Sequence, residues 1–178
     1  SGYYAQYKWN YFLGDKVGYQ GMFSTPESRY IFGEFREKKI FISSSGQMDT
    51  LPEMESALEI AALHLSQRPQ AKNILIIGGH AHSLISLLLN QSFVENVAWF
   101  HPEKEYAWKI LTGVNPDLRE NRKFSFIESE MEDFLRAGRK FYDLVIINLP
   151  DPSTAALNRF FTREFYADLS GVMKEGAL

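Results

Sequence analysis

Two glycines and two histidines close an apolar run in Lys72–His82, KNILIIGGHAH. Gly78 and Gly79 permit a tight backbone turn. A glycine turn between a buried strand and a helix sets the helix N-terminus against a nucleotide-type ligand. His80 and His82 bring a different chemistry. With His101, and with Glu130 or Asp151, they would combine imidazole and carboxylate, a donor set that suits Zn²⁺ or another transition metal. Histidines two apart on a turn need not converge, and core or surface roles are commoner, so no metal is expected. His64 lies beside an apolar helix face and reads as structural. There is no Cys, which removes disulfides, thiolate catalysis and Cys-ligated metals.

These residues need strands and helices to position them. Asn73 to Ile77 is short, apolar and β-branched, as a buried parallel strand should be, and Leu84 to Leu89 continues at helical composition. Val97 to Phe100, Lys123 to Ile127 and Tyr142 to Ile147 read as three further strands. Between them, Pro102 is placed to open a helix buried through Tyr106, Ala107, Ile110 and Leu111. Asn115-Pro116-Asp117 marks a turn. Ser129-Glu130-Met131-Glu132 has capping-box spacing, and Gly138 ends that helix. Thr162 can cap a last helix from Arg163, with Phe165, Tyr166, Leu169 and Met173 inward. The alternation implies an α/β fold, a doubly wound parallel sheet. Four loops then share the rim at the strands' carboxyl ends: His80 to His82, Trp99 to His101, Ser129 to Glu130, and Asn148 to Asp151.

Upstream, residues 1 to about 25 hold Tyr3, Tyr4, Tyr7, Trp9, Tyr11, Phe12, Tyr19 and Phe23 without clean periodicity, and read as irregular or short-strand structure. Arg29–Arg36 and Lys39–Ser43 read as paired strands, with a second turn at Ser44-Ser45-Gly46. After Asp49-Thr50-Leu51-Pro52 a helix follows, with Leu58, Ala61, Ala62 and Leu65 as its apolar face and Glu53 and Glu55 in its first turn. The expected division is residues 1–50, an aromatic-rich segment with a small β subdomain, and 51–178, the α/β domain. Met173 to Leu178 reads as a helix end running into a further strand, as in a piece of a longer protein.

Of the 178 residues, 45% are apolar and 23% charged, an ordinary globular composition. The net charge of -3, with no clustered Lys/Arg stripe, lacks the electrostatic footprint of a nucleic-acid binder. No run approaches the roughly 20 apolar residues that span a bilayer.

In order and spacing, several segments resemble the spermidine synthases (polyamine aminopropyltransferases), from about Ser28 to the end. IFISSSGQM is similar to the family's strand-DG-Q segment. NILIIGGHAH resembles its VLIIGGGDGG cofactor loop, YDLVIINLPDP its YDVIIVDSSDP catalytic segment, and FFTREFY its LYSREFY. The LPDP form resembles members fused to integral membrane segments. The resemblance implies a Rossmann-like, methyltransferase-type sheet after a small N-terminal β-hairpin subdomain.

Family chemistry transfers a propylamine from decarboxylated S-adenosylmethionine to putrescine, with a carboxylate at the end of the fourth strand taking the proton. On this chain the resemblance puts Asn148 at that base position, Asp151 at the second acid, Glu130 at the adenine-binding acid, and Gly78 and Gly79 in the cofactor loop. Its amine-holding acid is Ala81, flanked by His80 and His82 where the family has glycines. Its ribose acid is Trp99, its Tyr-His pair Ser56-Ala57, and its YQ glutamine Ile31. The expectation is a domain without aminopropyltransferase activity, serving as a structural, docking or sensing module. The alternative is an active aminopropyltransferase or related adenosyl-ligand transferase, with Asp151 as base. No cofactor is expected, unless a persisting site takes decarboxylated S-adenosylmethionine or methylthioadenosine. The expected partner is a second copy, meeting through the aromatic N-terminal part, or C-terminal or membrane segments of a parent protein. The expected location is the cytoplasm or the cytoplasmic face of a membrane. No nucleic acid is expected, and a small-molecule amine only if the domain is active.

Overall fold

The computed structural model describes all residues except 1, 15–17, 80 and 153–154. The chain divides into two compact units, 1–54 and 55–178. The division falls after residue 50 because a fourth strand runs to Leu51.

In the first unit, α1 (Gly2–Leu13) precedes a four-stranded antiparallel sheet ordered β1 (Gly18–Ser24), β2 (Arg29–Phe35), β3 (Lys38–Ser43) and β4 (Met48–Leu51). The helix corrects the expectation of irregular structure. Only Ala5 and Trp9 on α1 are buried, while its regularly spaced tyrosines face solvent. They pack on Ile31, Ile40 and Ile42 of the sheet. Trp9 comes so close that a Cβ on Gly33 would lie 2.6 Å from its ring, besides meeting the Gly18 carbonyl.

In the second unit, β5 (Asn73–Gly78), β6 (Asn96–Phe100), β7 (Phe124–Phe126) and β8 (Leu144–Asn148) form a parallel sheet in the order β7-β6-β5-β8. Every residue of β5 is buried, because apolar clusters cover both faces of this central strand. Ile74 and Ile76 face a cluster with Leu84, Ile85 and Leu88 of α3 (His82–Leu89). Leu75 and Ile77 face another with Met131 and Leu135 of α5 (Met131–Ala137) and Phe165, Leu169 and Val172 of α7 (Arg163–Val172).

Several local expectations need correction. On α2 (Met54–Gln67), Ala57 is buried and Ile60, Ala61 and Leu65 pack beside it, while Leu58 and Ala62 are exposed. The small Ala57, rather than Leu58, occupies the tight approach, which turns the buried face. His64 Nδ1 lies 2.8 Å from the Ile60 carbonyl, within the helix's own turn. Pro102 stands just before α4 (Lys104–Val114), whose N-cap is Glu103. The 115–117 turn leads into a 3-10 helix, Pro116–Glu120. Tyr166 is exposed, and Val172 takes the inward place on α7. A short α6 (Ala155–Asn158) and a 3-10 turn (Arg159–Phe161) precede α7.

At the amino-terminal ends of β5 and β8, Asp143 accepts from the Lys72 N–H, the Asn73 N–H and the Asn73 amide, and pairs with Lys174 at 2.9 Å. Residues after α7 run along β8: Lys174 N–H donates to Tyr142 O, and Val145 N–H donates to Leu178 O. Among the described residues no helix is long and apolar enough to cross a membrane.

Candidate functional site

The parallel register aligns Ile77 with Phe100 and Gly78 with Asn148. The carboxyl ends of β5, β6 and β8 are therefore neighbours, and the loop after β7 follows alongside β6. Gly78, Gly79, Trp99, His101, Glu130 and Asn148 all belong to this rim.

Gly78 has φ +119°, and a Cβ there would meet the Asn148 carbonyl. Only glycine satisfies both demands. The next residue is stitched to β8 twice. Gly79 N–H donates to Asn148 O at 3.1 Å, and the Asn148 amide donates back to Gly79 O at 3.1 Å. A carboxylate at 148 would have no proton to donate at neutral pH. Trp99 secures the residue before: its indole N–H donates to Gly78 O at 2.7 Å. The Trp99 ring is 1% exposed and lies edge-on to Phe126 at 5.4 Å. Both carbonyls of the glycine pair thus accept from side chains at the ends of adjacent strands.

His82, the first residue of α3, lies against the Trp99 ring at 4.9 Å, and His101 lies against the same ring at 5.9 Å. His101 Nδ1 accepts from the Glu103 N–H at 2.9 Å, which leaves Nε2 over Gly79, 3.5 Å from where a Cβ would stand. His80 lies outside the described residues. Among the described residues no three His, Asp or Glu side chains form a group able to hold a metal ion.

Glu130 is the N-cap of α5, with a cap side chain that makes no bond to the helix, so the capping box expected from Ser129 and Glu132 does not form. Its carboxylate instead pairs with Lys104, at the start of α4, and with Arg159 at 3.4 Å. Arg159 also reaches Glu132 at 3.5 Å. The hydrogen bond from Lys104 is the main cause holding the Glu130 carboxyl below the usual range. This clamp was not anticipated from sequence. Lys104 and Arg159 are 55 positions apart on the chain, and nothing local marks either as a partner of Glu130.

Asp151 is exposed in the loop after β8. Ala81, at the amine-holder position, is fully buried among Leu84, Leu88 and Trp99. Ala57 is likewise core, Ser56 is exposed, and Ile31 packs in the first unit's core.

The fold and rim define a class: a Rossmann-like parallel sheet of methyltransferase type, preceded by a small antiparallel sheet, with a glycine loop at the ligand-binding end. The particular relationship follows from comparison with known proteins. No family model matches the chain. It is 30% identical over 121 residues to a polyamine aminopropyltransferase of Lachnospira eligens, covering 64% of this chain and 40% of that protein. It is 29% identical over 125 residues to one of Saccharolobus islandicus, covering 67% and 41%. Among solved structures, a spermidine synthase in complex with the transition state analogue AdoDATO superposes with a TM-score of 0.72, at 21% identity, over 89% of this chain and 55% of that one. Spermidine synthase from Thermotoga maritima gives 0.69 at 21% identity, over 89% and 54%. The chain is thus related in sequence to the polyamine aminopropyltransferases and has the spermidine synthase fold. It spans about two fifths of the length of these curated relatives.

Proposed function

We propose that this spermidine-synthase-like domain does not catalyse aminopropyl transfer, and that it serves as a structural, docking or sensing module of a larger protein. One observation carries the reading: the side chains at the family's ribose-acid and base positions hold the glycine loop itself, Trp99 on Gly78 O and Asn148 on Gly79 O. Decarboxylated S-adenosylmethionine would need carboxylates at 81 and 99 and a base at 148. A buried methyl, a buried indole and a donating amide stand there, and they do not fit that group. Of the cofactor-binding acids Glu130 remains, and two cations hold it; Asp151, the second acid, stays exposed.

Calorimetry with decarboxylated S-adenosylmethionine and with methylthioadenosine is expected to give no micromolar binding, and putrescine no turnover. Micromolar binding with turnover would sink the proposal. Asn148→Asp alone is expected to leave the chain inactive, because positions 81 and 99 still lack their acids.

Asp151 supports a second reading, since its exposed carboxylate follows β8 directly. In that reading Asp151 is the base of an enzyme with an altered amine substrate, and Glu130 holds adenine. Activity unchanged in Asp151→Asn would remove it.

The module's partner is a second copy or a further segment of the parent protein, received on the aromatic face of α1. There Tyr3, Tyr4, Tyr7 and Tyr11 are each at least 69% exposed. Large exposed apolar patches mark interaction sites. If copies pair, sedimentation at rising concentration shows a dimer that Tyr7→Ser/Tyr11→Ser weakens; a monodisperse monomer leaves the parent-protein segment as the partner.

A further inference from the structure

The first unit contains a cavity that the rim chemistry does not involve. It has a volume of about 230 Å³, lies between α1 and the sheet, and opens to solvent past Tyr4, Met22 and Arg29. Ala5, Ile31 and Ile42, all core residues, form its floor, and Tyr4 and Met22 flank it. The gap exists because α1 presents only Ala5, a single methyl, one turn before the large Trp9. Its lining is otherwise polar in one sense only. Lys8, Arg29 and Ser44 complete it, and among the described residues no carboxylate lines it. The unit as a whole is balanced, with six basic and six acidic residues in 1–54, so the two cations here are a local excess.

The cations are presented differently. Lys8 donates to the carbonyls of Ser43 and Ser44 at 3.0 and 2.9 Å, which fixes its ammonium at the end of β3 without neutralising it. Arg29 is exposed at the start of β2 and makes no ion pair among the described residues. Its planar guanidinium fork matches a carboxylate in two parallel hydrogen bonds. The Ser44 hydroxyl, shared with Ser28 at 2.8 Å, adds a neutral polar group beside them.

An apolar floor with a two-cation end and no acid selects a molecule that is apolar at one end and anionic at the other. It disfavours an amine, which both cations would repel. The volume lies below the roughly 300 Å³ at which drug-sized pockets begin, so a medium-length chain fits better than a long one. We propose that this cavity of the N-terminal unit binds a small amphipathic carboxylate, its apolar body on Ile31 and Ile42 and its carboxylate on Arg29 and Lys8. The site belongs to the first unit alone and does not depend on the function proposed above.

The test is titration of the full chain with octanoate, with octanol and octylamine as controls, by calorimetry and by protein-observed NMR. Octanoate is expected to bind and to shift resonances of Ala5, Ile31 and Ile42. Octanol is expected to bind at least ~10-fold more weakly, the value of one charge-assisted contact, and octylamine not at all. Arg29→Gln, an exposed change that leaves the core intact, should weaken octanoate by ~10-fold and leave octanol unchanged. Ala5→Leu should fill the cavity and abolish octanoate binding, with circular dichroism checking its fold. Equal affinity for octanoate and octanol, an unaffected Arg29→Gln, shifts confined to other residues, or no octanoate binding at millimolar concentration would each overturn the proposal.

Discussion

At Trp99 one side chain meets two demands: its ring fills the core between α3 and β7, and its indole N–H satisfies a carbonyl of the glycine loop. Trp99→Phe would keep most of the packing and leave Gly78 O short of its donor. An unsatisfied buried carbonyl costs about 1–3 kcal/mol, so urea denaturation should show a loss in that range. Asp143 does comparable work at the opposite strand ends. Burial pushes its carboxyl up, but the hydrogen bonds from Lys174 and Asn73 outweigh that and hold it below the usual range. A depressed carboxyl contributes stability that is present above the unfolded-state value near ~3.9 and is lost as pH falls through the folded-state value. Asp143→Ala should therefore cost about 1–3 kcal/mol at pH 7, and the gap from the parent should narrow below about pH 4. A gap constant from pH 7 to pH 2.5 would contradict this account.

Among the elements, two ends make sharp predictions. Thr162 accepts from the Phe165 N–H at 3.1 Å, as its position before Arg163 predicts. Thr162→Ala should cost about 1 kcal/mol of stability, the usual value of an N-cap. Gly78→Ala faces both a positive φ and the Asn148 carbonyl, and should destabilise by ~3 kcal/mol or more, read as a lowered urea midpoint. Both positions were legible in the sequence because each depends on a local rule. The strands β5, β6 and β8 were legible for a related reason: burial on both faces demands unbroken apolar runs, and few other structures do. Helix α1 was not, since its helical-period tyrosines face solvent and only Ala5 and Trp9 are buried, against the usual inside-out order. The buried face of α2 was misread because size, rather than hydrophobicity, decided between Ala57 and Leu58. At Ser129 the local capping signal lost to charge. Lys104 and Arg159 draw Glu130 toward them, and that attraction depends on tertiary approach, which no spacing rule records.

For the molecule as a whole, the two units differ in how much core they hold. The first has a small cluster of Ala5, Trp9, Ile31, Ile40 and Ile42, with Tyr30, Phe41 and Leu51 buried besides, whereas the second has two extended clusters, one on each face of its sheet. Small units bury a smaller fraction of their surface and are correspondingly marginal. Native-state hydrogen exchange should find amides of β1 to β4 opening well before those of β5 and β6. Equal protection in both sheets would mean that the units unfold as one.

Trp99 also bears on which substitutions the chain can accept. An acid there would have to be buried where an indole now packs, and an acid at 81 would enter the same cluster. Each such substitution would empty or charge the core, at several kcal/mol, before any ligand could repay the loss. Substitutions at exposed positions such as Ser56 and Asp151 carry no such penalty. A chain that holds Trp99 in its core therefore accepts changes at its surface more readily than acids at positions 81 and 99.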